Sequence, residues 1–422
     1  MGFCNIAESA LRRPAAWGAV RRFAGAVGLV VALAGPAPAQ QLPSTQGATV
    51  DLARKLAAGQ WLDLGAPGAD PAWGAARGRT WTSTMPYSAS LGGAFLYGEG
   101  IHGWVDERTG RYMDDLWLYD VNAHRWVNLH PGTDTRNPPK LIVNEDGFEA
   151  LADGSPVPIA ISVHGYEMVT WDPHRQLMYT VPSWNSYLKK PLPGVLEFRD
   201  RNASRLNRDR ASPWIFDPWN RKWHRLRTTT ASPPTGVGDV LLYVPSKREV
   251  FHYHNGAVQF YNPGTNRWRV AGPVGPRPPF GIDPVACYDA KRDRIYVGGG
   301  GYPVAKGDNA LWIYDVAGNR WIDPRPAGSP GGNHFGTNVA ILNCDSAIDR
   351  VVLIRHGGQK TGVYVYDPDR NAWADTVVPL PSFWRASLAS SGFFHPELGV
   401  HYVFSAGDSR DNGRMAVFRA PR

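Results

Sequence analysis

Six side chains suited to binding sugars or anions stand close to the starts of apolar, strand-like segments. They are three aromatic residues, two histidines and one arginine: Tyr87, His164, Phe280, His334, Trp384 and Arg385. Aromatic rings stack on apolar faces, and a guanidinium group pairs with an anion. These residues are therefore the candidate ligand-binding set. They could equally line or plug a water-filled channel without binding a ligand.

Metal and covalent chemistry are weakly supported by the sequence. His252 and His254 flank Tyr253, so both imidazoles would leave the same face of a strand, where they could hold a metal ion. No third ligand can be identified, and the alternative is that these histidines are solvated or lie between sheets. We predict no metal and no cofactor. No nucleophile elbow, Cys-x-x-Cys pair or phosphate loop occurs, so catalytic residues remain unknown and an enzymatic activity uncertain.

The elements that must position these side chains are indicated by an eleven-residue unit that recurs five times. Each copy has an apolar, alternating start, an aromatic residue at its fourth position, Asp or Asn at its fifth, and Trp at its end. The closing residues are Trp126, Trp223, Trp268, Trp321 and Trp373. This pattern predicts a β-strand, a tight turn and the beginning of the next strand.

The spacing of the closing tryptophans is typical of a propeller. Three of the four intervals are close to 50 residues, and the first is about twice as long. Upstream of several copies lies another apolar strand after an Asp-containing turn, as in YDAKRDRIYVGGGG at 288–301. Together the two signals resemble the kelch repeat, a propeller unit shared by galactose oxidase and the bacterial sialic acid mutarotases. The resemblance covers about residues 59–422 and implies an all-β, kelch-type β-propeller. The Tyr-His copper ligands of galactose oxidase are not reproduced, so its copper site is not expected here.

The two ends of the propeller region predict how the ring closes. The chain ends in MAVFRAPR, a strand with no Trp hairpin after it, and begins with GQWLDLG at 59–65. This first segment matches the missing outer strand, with Trp61 as a sixth closing tryptophan. We therefore predict six blades, with the ring closed by an N-terminal strand around Trp61, which leaves no exposed sheet edge.

The first residues predict export. Residues 1–39 have the pattern of a signal peptide: arginines at positions 12, 13, 21 and 22, an apolar core at 24–33, and small residues at 37–39. Residues 40–58 are predicted to be a linker, and 59–422 a single six-bladed propeller. The protein is expected to be periplasmic or extracellular, monomeric, and without a membrane span, because no later run is apolar enough.

Charge and cysteine content limit the partners. The formal net charge of the chain is +8, and removing the leader lowers it to +5. The basic residues do not form the dense stripe of a nucleic-acid-binding protein, but they permit an anionic partner. Cys287 and Cys344 remain after the leader, in neighbouring blades. They could form a disulfide, which export permits, or stay as two buried thiols.

The long, irregular segments are predicted to share one face of the propeller. Loops between the second and third strands of a blade, and those that link blades, emerge on the same side. The long segments of this chain all belong to that set: 101–115, 127–158, 183–212 and 301–310. Segments 127–158 and 183–212 are treated as insertions, and the second, which is basic, could be a solvated loop. A rigid scaffold with variable loops on one rim is the usual setting of a site.

Two functions remain open on the sequence alone. The first is an exported kelch-type propeller that binds a carbohydrate or protein ligand, which could be anionic, on its loop-rich face. The alternative is a carbohydrate-active propeller enzyme, such as an epimerase or mutarotase, a lyase or an oxidase, with its site at the channel mouth. His, Arg and Tyr side chains within hydrogen-bond reach of one another would favour the enzyme. A broad aromatic rim without buried titratable groups would favour binding.

Overall fold

The part of the chain that can be described begins after the predicted leader. The computed structural model describes residues 47–98, 100, 103–159, 164–181, 191–206, 212–230, 236, 238–279, 283–299, 311–328, 330, 339–357, 360–384, 389–408 and 410–422. Phe280, His334 and Arg385 lie outside these residues, as do the predicted signal peptide and segment 301–310. Every structural statement below concerns the described residues.

Six antiparallel four-stranded sheets form the blades. Blade 1 contains β2 (Tyr87–Ser88), β3 (Gly93–Tyr97), β6 (Leu116–Asp120) and β7 (Arg125–His130). Blade 2 contains β10 (Val169–Asp172), β11 (Leu177–Thr180), β12 (Trp214–Asp217) and β13 (Lys222–Arg225). Blade 3 contains β14 (Val240–Val244), β15 (Glu249–His254), β16 (Ala257–Asn262) and β17 (Arg267–Val270).

The second half of the ring repeats this order. Blade 4 contains β18 (Val285–Asp289), β19 (Arg294–Gly298), β20 (Leu311–Asp315) and β21 (Arg320–Ile322). Blade 5 contains β22 (Ala340–Asp345), β23 (Arg350–Arg355), β24 (Gly362–Asp367) and β25 (Ala372–Trp373). Blade 6 contains β26 (Ala389–His395), β27 (Val400–Ala406), β28 (Arg414–Phe418) and β1 (Trp61–Gly65).

The ring closes as the sequence predicts. The N-terminal strand β1 pairs antiparallel with the C-terminal strand β28, and it supplies the fourth strand of blade 6. Trp61 stands opposite Phe418, the same register in which Trp126 stands opposite Tyr119 and Trp373 opposite Tyr366. The all-β, six-bladed propeller fold is therefore confirmed, including its closure around Trp61.

The apolar core consists of separate clusters, one at each border between neighbouring blades. The first strands of successive blades contact one another, which places them nearest the axis. Six apolar clusters lie between the six pairs of neighbouring blades. The closing tryptophans of blades 1 to 5 are buried in these clusters. Trp321 of blade 4, for example, packs edge-on against Tyr253 of blade 3, with ring centroids 5.6 Å apart. The repeated tryptophan thus joins its own blade to the preceding one.

The repeated Asp or Asn stabilises the turn that follows it. In blade 5, an Asp367 side-chain oxygen accepts hydrogen bonds from the backbone N–H groups of Asp369 and Arg370. Asn371, the last residue of that turn, has a positive φ of 49°, which Asn tolerates better than most residues. The Tyr366 hydroxyl donates to the Asn371 side chain at 2.8 Å. The aromatic, Asp and Asn positions of the repeat are therefore parts of one turn.

Two helices occur among the described residues, and the first lies in the predicted linker. Helix α1 (Ala48–Lys55) buries Val50 and Ala53 in the cluster between blades 6 and 1. A guanidinium nitrogen of Arg419, just after β28, donates to the Ala53 carbonyl at 3.0 Å. The helix is thus attached to the closed ring. Neither described helix is both long and apolar enough to cross a membrane.

The two cysteines of the propeller form a disulfide between neighbouring blades. Cys287 of β18 and Cys344 of β22 are bonded, with their Cα atoms 5.5 Å apart. This settles the alternative that the sequence leaves open. The separation is much smaller than the spacing of about 10 Å between packed sheets because first strands converge at the axis.

Candidate functional site

The two faces of the propeller differ in the lengths of their loops. On one, which we call the turn face, the first and second strands of every blade are joined by four residues, as at 245–248 and 290–293. On the other, the loop face, lie the connections between second and third strands and those that link blades. Blade 3 has only Asn255 and Gly256 between its second and third strands, whereas blades 1 and 2 carry long segments there.

Parts of three long segments pack together on the loop face into a structure that we call the cap. It consists of the hairpin β4 (Val105–Asp106) and β5 (Arg111–Tyr112), the hairpin β8 (Ile142–Val143) and β9 (Glu149–Ala150), and helix α2 (Pro193–Arg201). Its apolar centre contains five buried residues: Tyr112, Val157, Ile159, Leu192 and Val195. The predicted convergence of these segments is therefore observed for their described parts.

A buried ion pair stabilises the cap. Arg199 of α2 donates from Nε and Nη2 to the two carboxylate oxygens of Glu149, at 2.5 and 2.9 Å, and from Nη2 to the Ile159 carbonyl at 2.7 Å. The described part of segment 183–212 forms a helix and buries Arg199, whereas its other charged residues, such as Arg201 and Arg205, are exposed as expected of a solvated segment. Arg199 is buried because it meets a carboxylate from another insertion, a long-range pairing that local charge does not reveal.

Beside the cap an open pocket, which we call the arginine pocket, lies between blade 1 and the chain before it. Its wall includes Trp73, Arg77, Asp106, Arg108, Arg111 and Asn128. The backbone of Gly74 has a φ of 80°, and a Cβ at this position would stand 2.0 Å from Arg108 Nη1. The glycine therefore lets the Arg108 guanidinium lie directly over the backbone.

One carboxylate holds two of the pocket arginines. Asp106 accepts hydrogen bonds from Arg77 Nε and Arg108 Nη2, both at 3.3 Å. Burial alone would raise the pKa of Asp106, but the hydrogen bond and charge of Arg77, together with Arg108, lower it below its usual value. Arg77 also donates to Asn412 Oδ1 at 3.0 Å, which ties the pocket to blade 6. Asp106 is thus an ionised anchor for the two guanidinium groups.

The third pocket arginine has a different environment. The Arg111 guanidinium lies 4.7 Å from the centre of the Trp73 ring and donates from Nη1 to the Gly132 carbonyl at 2.6 Å. It forms no ion pair with any described carboxylate. The second carboxylate of the pocket, Asp115, is already held by Arg79 and by the Trp117 indole N–H. The pocket lining therefore has an excess of positive charge.

A neutral polar side chain completes the wall. Asn128 of β7 is only 3% exposed, and its backbone N–H donates to Asp70 at 3.1 Å. Its side-chain oxygen has no hydrogen-bond partner among the described residues. A buried amide oxygen without a donor is costly, so this atom is suited to accept a hydrogen bond from a bound molecule or a water.

The structure does not bring the predicted site residues together. His164 is buried at the border of blades 1 and 2, between the rings of Trp81 and Tyr166, with centroids 6.1 and 5.3 Å away. Trp384 lies at the border of blades 5 and 6, against Trp61. Both are on the loop-face side, but at different borders. Phe280, His334 and Arg385 fall outside the described residues.

Tyr87 lies at the turn-face end of blade 1. Its hydroxyl is 3.0 Å from His395 Nε2, and its ring stacks on Phe393. The first strand of blade 1 is only two residues long and ends at the turn face. Tyr87 does stand at the start of a strand, as the sequence indicates, but it lies away from the loop face that carries the cap.

Two buried carboxyl groups, Glu167 and Asp283, lie just before the first strands of blades 2 and 4. The sequence reasoning missed both. The Ser83 hydroxyl donates to Glu167, and burial raises the pKa of Glu167 to about 8 although this hydrogen bond opposes the rise. Burial also raises the pKa of Asp283 to about 6. Burial therefore favours the protonated form of Glu167 near neutral pH. Neither residue belongs to a sequence motif.

The two histidines considered for metal binding share a carboxylate instead. His252 Nε2 lies 2.8 Å from one oxygen of Asp239, and His254 Nδ1 lies 2.7 Å from the other. The hydrogen bond to Asp239 raises the pKa of His254. Burial opposes ionisation of Asp239, but the two imidazoles lower its pKa. Among the described residues, no group of three or more suitable side chains is arranged to hold a metal ion.

Comparisons with known proteins add little to this geometry. No family model matches the chain, and no curated protein matches it. Among solved structures, the chain is similar to one described as "Crystal Structure of Mitotic Checkpoint Complex", with 10% sequence identity and a TM-score of 0.44. That similarity covers 86% of this chain and 95% of the other.

Proposed function

We propose that this protein is an exported, kelch-type propeller that binds a carbohydrate or protein ligand on its loop face. The observation that carries the proposal is the cap, in which parts of three long segments from blades 1 and 2 are packed beside the arginine pocket. The turns of the opposite face are short and repeated, so they offer little variable surface. Rigid blades that present variable segments on one rim are a common basis for recognition.

The composition of the pocket agrees with ligand binding. Trp73 and Trp117 supply aromatic surface, and Arg77, Arg108 and Arg111 supply donors that suit an anion. Export is proposed from the predicted signal peptide, and the Cys287–Cys344 disulfide is compatible with it. The ligand partners proposed are a glycan or a protein, which could be anionic, bound by a monomer.

A ligand screen followed by paired variants tests this function. Mature protein, residues 40–422, would be applied to a glycan array and used as bait for exported proteins of the same source. Each ligand recovered would be titrated into Arg199→Ala, which breaks the buried ion pair of the cap. The matched control is Arg292→Ala, because Arg292 is paired with Asp349 on the turn face. Binding should be lost in Arg199→Ala and retained in the control, and the reverse result would contradict the proposal.

The alternative function, a carbohydrate-active enzyme, is favoured by one observation. Glu167 is a buried carboxyl group whose pKa is raised to about 8, so it could act as a general acid near neutral pH. The test is turnover of sugars on a panel that includes epimerisation, elimination and oxidation assays. Glu167→Gln should abolish any turnover while binding is retained, and an unchanged rate would exclude Glu167 as the acid.

A further inference from the structure

Two polar side chains of the arginine pocket have hydrogen-bonding capacity that contacts within the protein do not use. Arg111 stacks on Trp73 and donates one described hydrogen bond, to the Gly132 carbonyl, which leaves further guanidinium N–H groups for another acceptor. Asn128 presents a side-chain oxygen without a donor on the same pocket wall. Arg111 can therefore bind an anion, and Asn128 can accept a hydrogen bond from a neutral donor.

The charge around Arg111 supports a bound anion. The two carboxylates of the lining are occupied, Asp106 by Arg77 and Arg108, and Asp115 by Arg79. The backbone N–H of Arg136 is the main cause that lowers the pKa of Asp134, and the charge of Arg111 adds to it, but the described ion pair of Asp134 is with Arg136. A guanidinium held over an aromatic ring can bind a carboxylate through two parallel hydrogen bonds.

A ligand that satisfies both groups needs a carboxylate and a neutral hydrogen-bond donor. A uronic acid residue of a polysaccharide has this combination, because its ring hydroxyls are donors that can bond to Asn128 directly or through one water. We propose that the arginine pocket binds a uronic acid residue, with its carboxylate on Arg111 and a ring hydroxyl on Asn128. This inference rests on the proposed function, because it names the ligand class of the same face.

The pocket lining suits a sugar ring that carries a carboxylate. The hydrogen-bonding groups of the pocket come from several elements, and the pocket wall includes the aromatic ring of Trp73 and the amide of Asn128. A glutamate or aspartate side chain could also supply the carboxylate, and a backbone N–H of the same peptide could donate to Asn128. Acidic peptides are therefore the competing ligand class that the experiment has to exclude.

The test measures binding of charged and uncharged forms of the same sugar. Trimers of galacturonic, glucuronic and mannuronic acid, and the methyl ester of each, would be titrated calorimetrically into the mature protein. The ester keeps the ring hydroxyls and removes the charge. At least one acid should bind, and its ester should bind at least about tenfold more weakly, as expected for the loss of a charge-assisted hydrogen bond.

Two variants separate the two contacts. Arg111→Gln should weaken binding of the acid by about ten- to hundredfold and change binding of the ester little. Asn128→Ala should weaken acid and ester by a similar factor, because the hydroxyl contact does not depend on charge. Arg320→Gln, which removes an exposed arginine near the turn face, is the matched control and should leave both affinities unchanged. Melting temperatures would show that each variant is folded.

Several results would overturn the assignment. Equal affinity for acid and ester, or unchanged acid binding in a folded Arg111→Gln variant, would remove Arg111 as the carboxylate site. Binding of a glutamate oligomer as tight as that of the uronate, with the same loss in Arg111→Gln, would identify an acidic protein segment as the ligand. If none of the three acids binds at millimolar concentration, the uronate assignment is wrong. The proposed function would then still stand if the ligand screen gives a partner whose binding Arg199→Ala abolishes.

Discussion

The turn face and the loop face of this propeller are formed by the same sheets, but only the turn face repeats the same residues from blade to blade. On the turn face, an aromatic residue, an Asp or Asn and a Trp recur in register. Tyr314, Asn319 and Trp321 of blade 4 have counterparts in blades 3 and 5. On the loop face, the cap and the arginine pocket occur in one sector and have no counterpart among the described residues elsewhere in the ring. Repetition indicates residues that stabilise every blade, and departure from it indicates residues available for binding.

The largest expected effect comes from a repeated tryptophan. Trp321→Ala should lower the free energy of unfolding by about 3–5 kcal/mol, because a buried aromatic side chain is replaced by a cavity between blades 3 and 4. Trp61 occupies the same register in blade 6 but is only partly buried, so Trp61→Ala should cost less, roughly 1–2 kcal/mol. Urea denaturation of both variants measures the difference. A loss below about 1 kcal/mol for Trp321→Ala would contradict the interblade role.

The pH dependence of stability should have opposite signs for two carboxyl groups, Glu167 near the loop face and Asp315 in a repeated turn. Burial raises the pKa of Glu167, at the loop-face end of its blade, from 4.5 to about 8. Its contribution to stability is complete below pH 4.5 and is lost as the pH rises through 8. Unfolding free energy should therefore fall by up to about 1.4 kcal/mol per pH unit between these limits. Glu167→Gln should flatten that slope.

Asp315, in a repeated turn, provides the contrasting case. Its pKa is lowered, since hydrogen bonds from the Gly318 N–H and Arg320 outweigh its partial burial. Its contribution is present above its ordinary pKa of 3.8 and is lost as the pH falls through the lowered value. Asp315→Asn should therefore change only the acid side of the stability profile. A matching change between pH 5 and 8 would show that Asp315 and Glu167 do not differ in this way.

The smallest effect concerns a single repeated hydrogen bond. The Tyr314 hydroxyl donates to the Asn319 side chain at 2.6 Å. Tyr314→Phe should cost about 0.5–1.5 kcal/mol, the usual net value for such a bond. Phe216 already occupies the equivalent position of blade 2, so the substitution fits the repeat. A cost above about 2 kcal/mol would mean that Tyr314 has a role beyond its turn.

The fold could be predicted because its determinants are local and repeated. The Asp, the Tyr and the closing Trp of each unit lie within eleven residues, and the same spacing recurs, so Trp61 could be assigned to the ring from its register alone. The site could not be predicted in the same way. Trp73 and Arg77 precede the repeats, and Asn128 has no neighbour in sequence that marks it as a site residue.

Tyr87 shows where prediction from the repeat fails. Tyr87 belongs to the candidate set because it stands close to the start of a strand, but that strand has only two residues and ends at the turn face. The pairing of Arg199 with Glu149 was also beyond sequence reasoning, because it depends on how two insertions pack. Long-range contacts between non-repeated segments build this candidate site, and they leave no periodic signal.

Hydrogen exchange with and without ligand tests most directly whether binding belongs to the loop face. The ligand recovered by the array or pull-down would be added at saturation, and amide protection would be mapped by mass spectrometry. We expect new protection in peptides that contain residues 73–77 and 105–132, beside the cap and the arginine pocket. Peptides of the turn-face loops at 245–248, 290–293 and 346–349 should be unchanged. Protection confined to those turns would contradict the account.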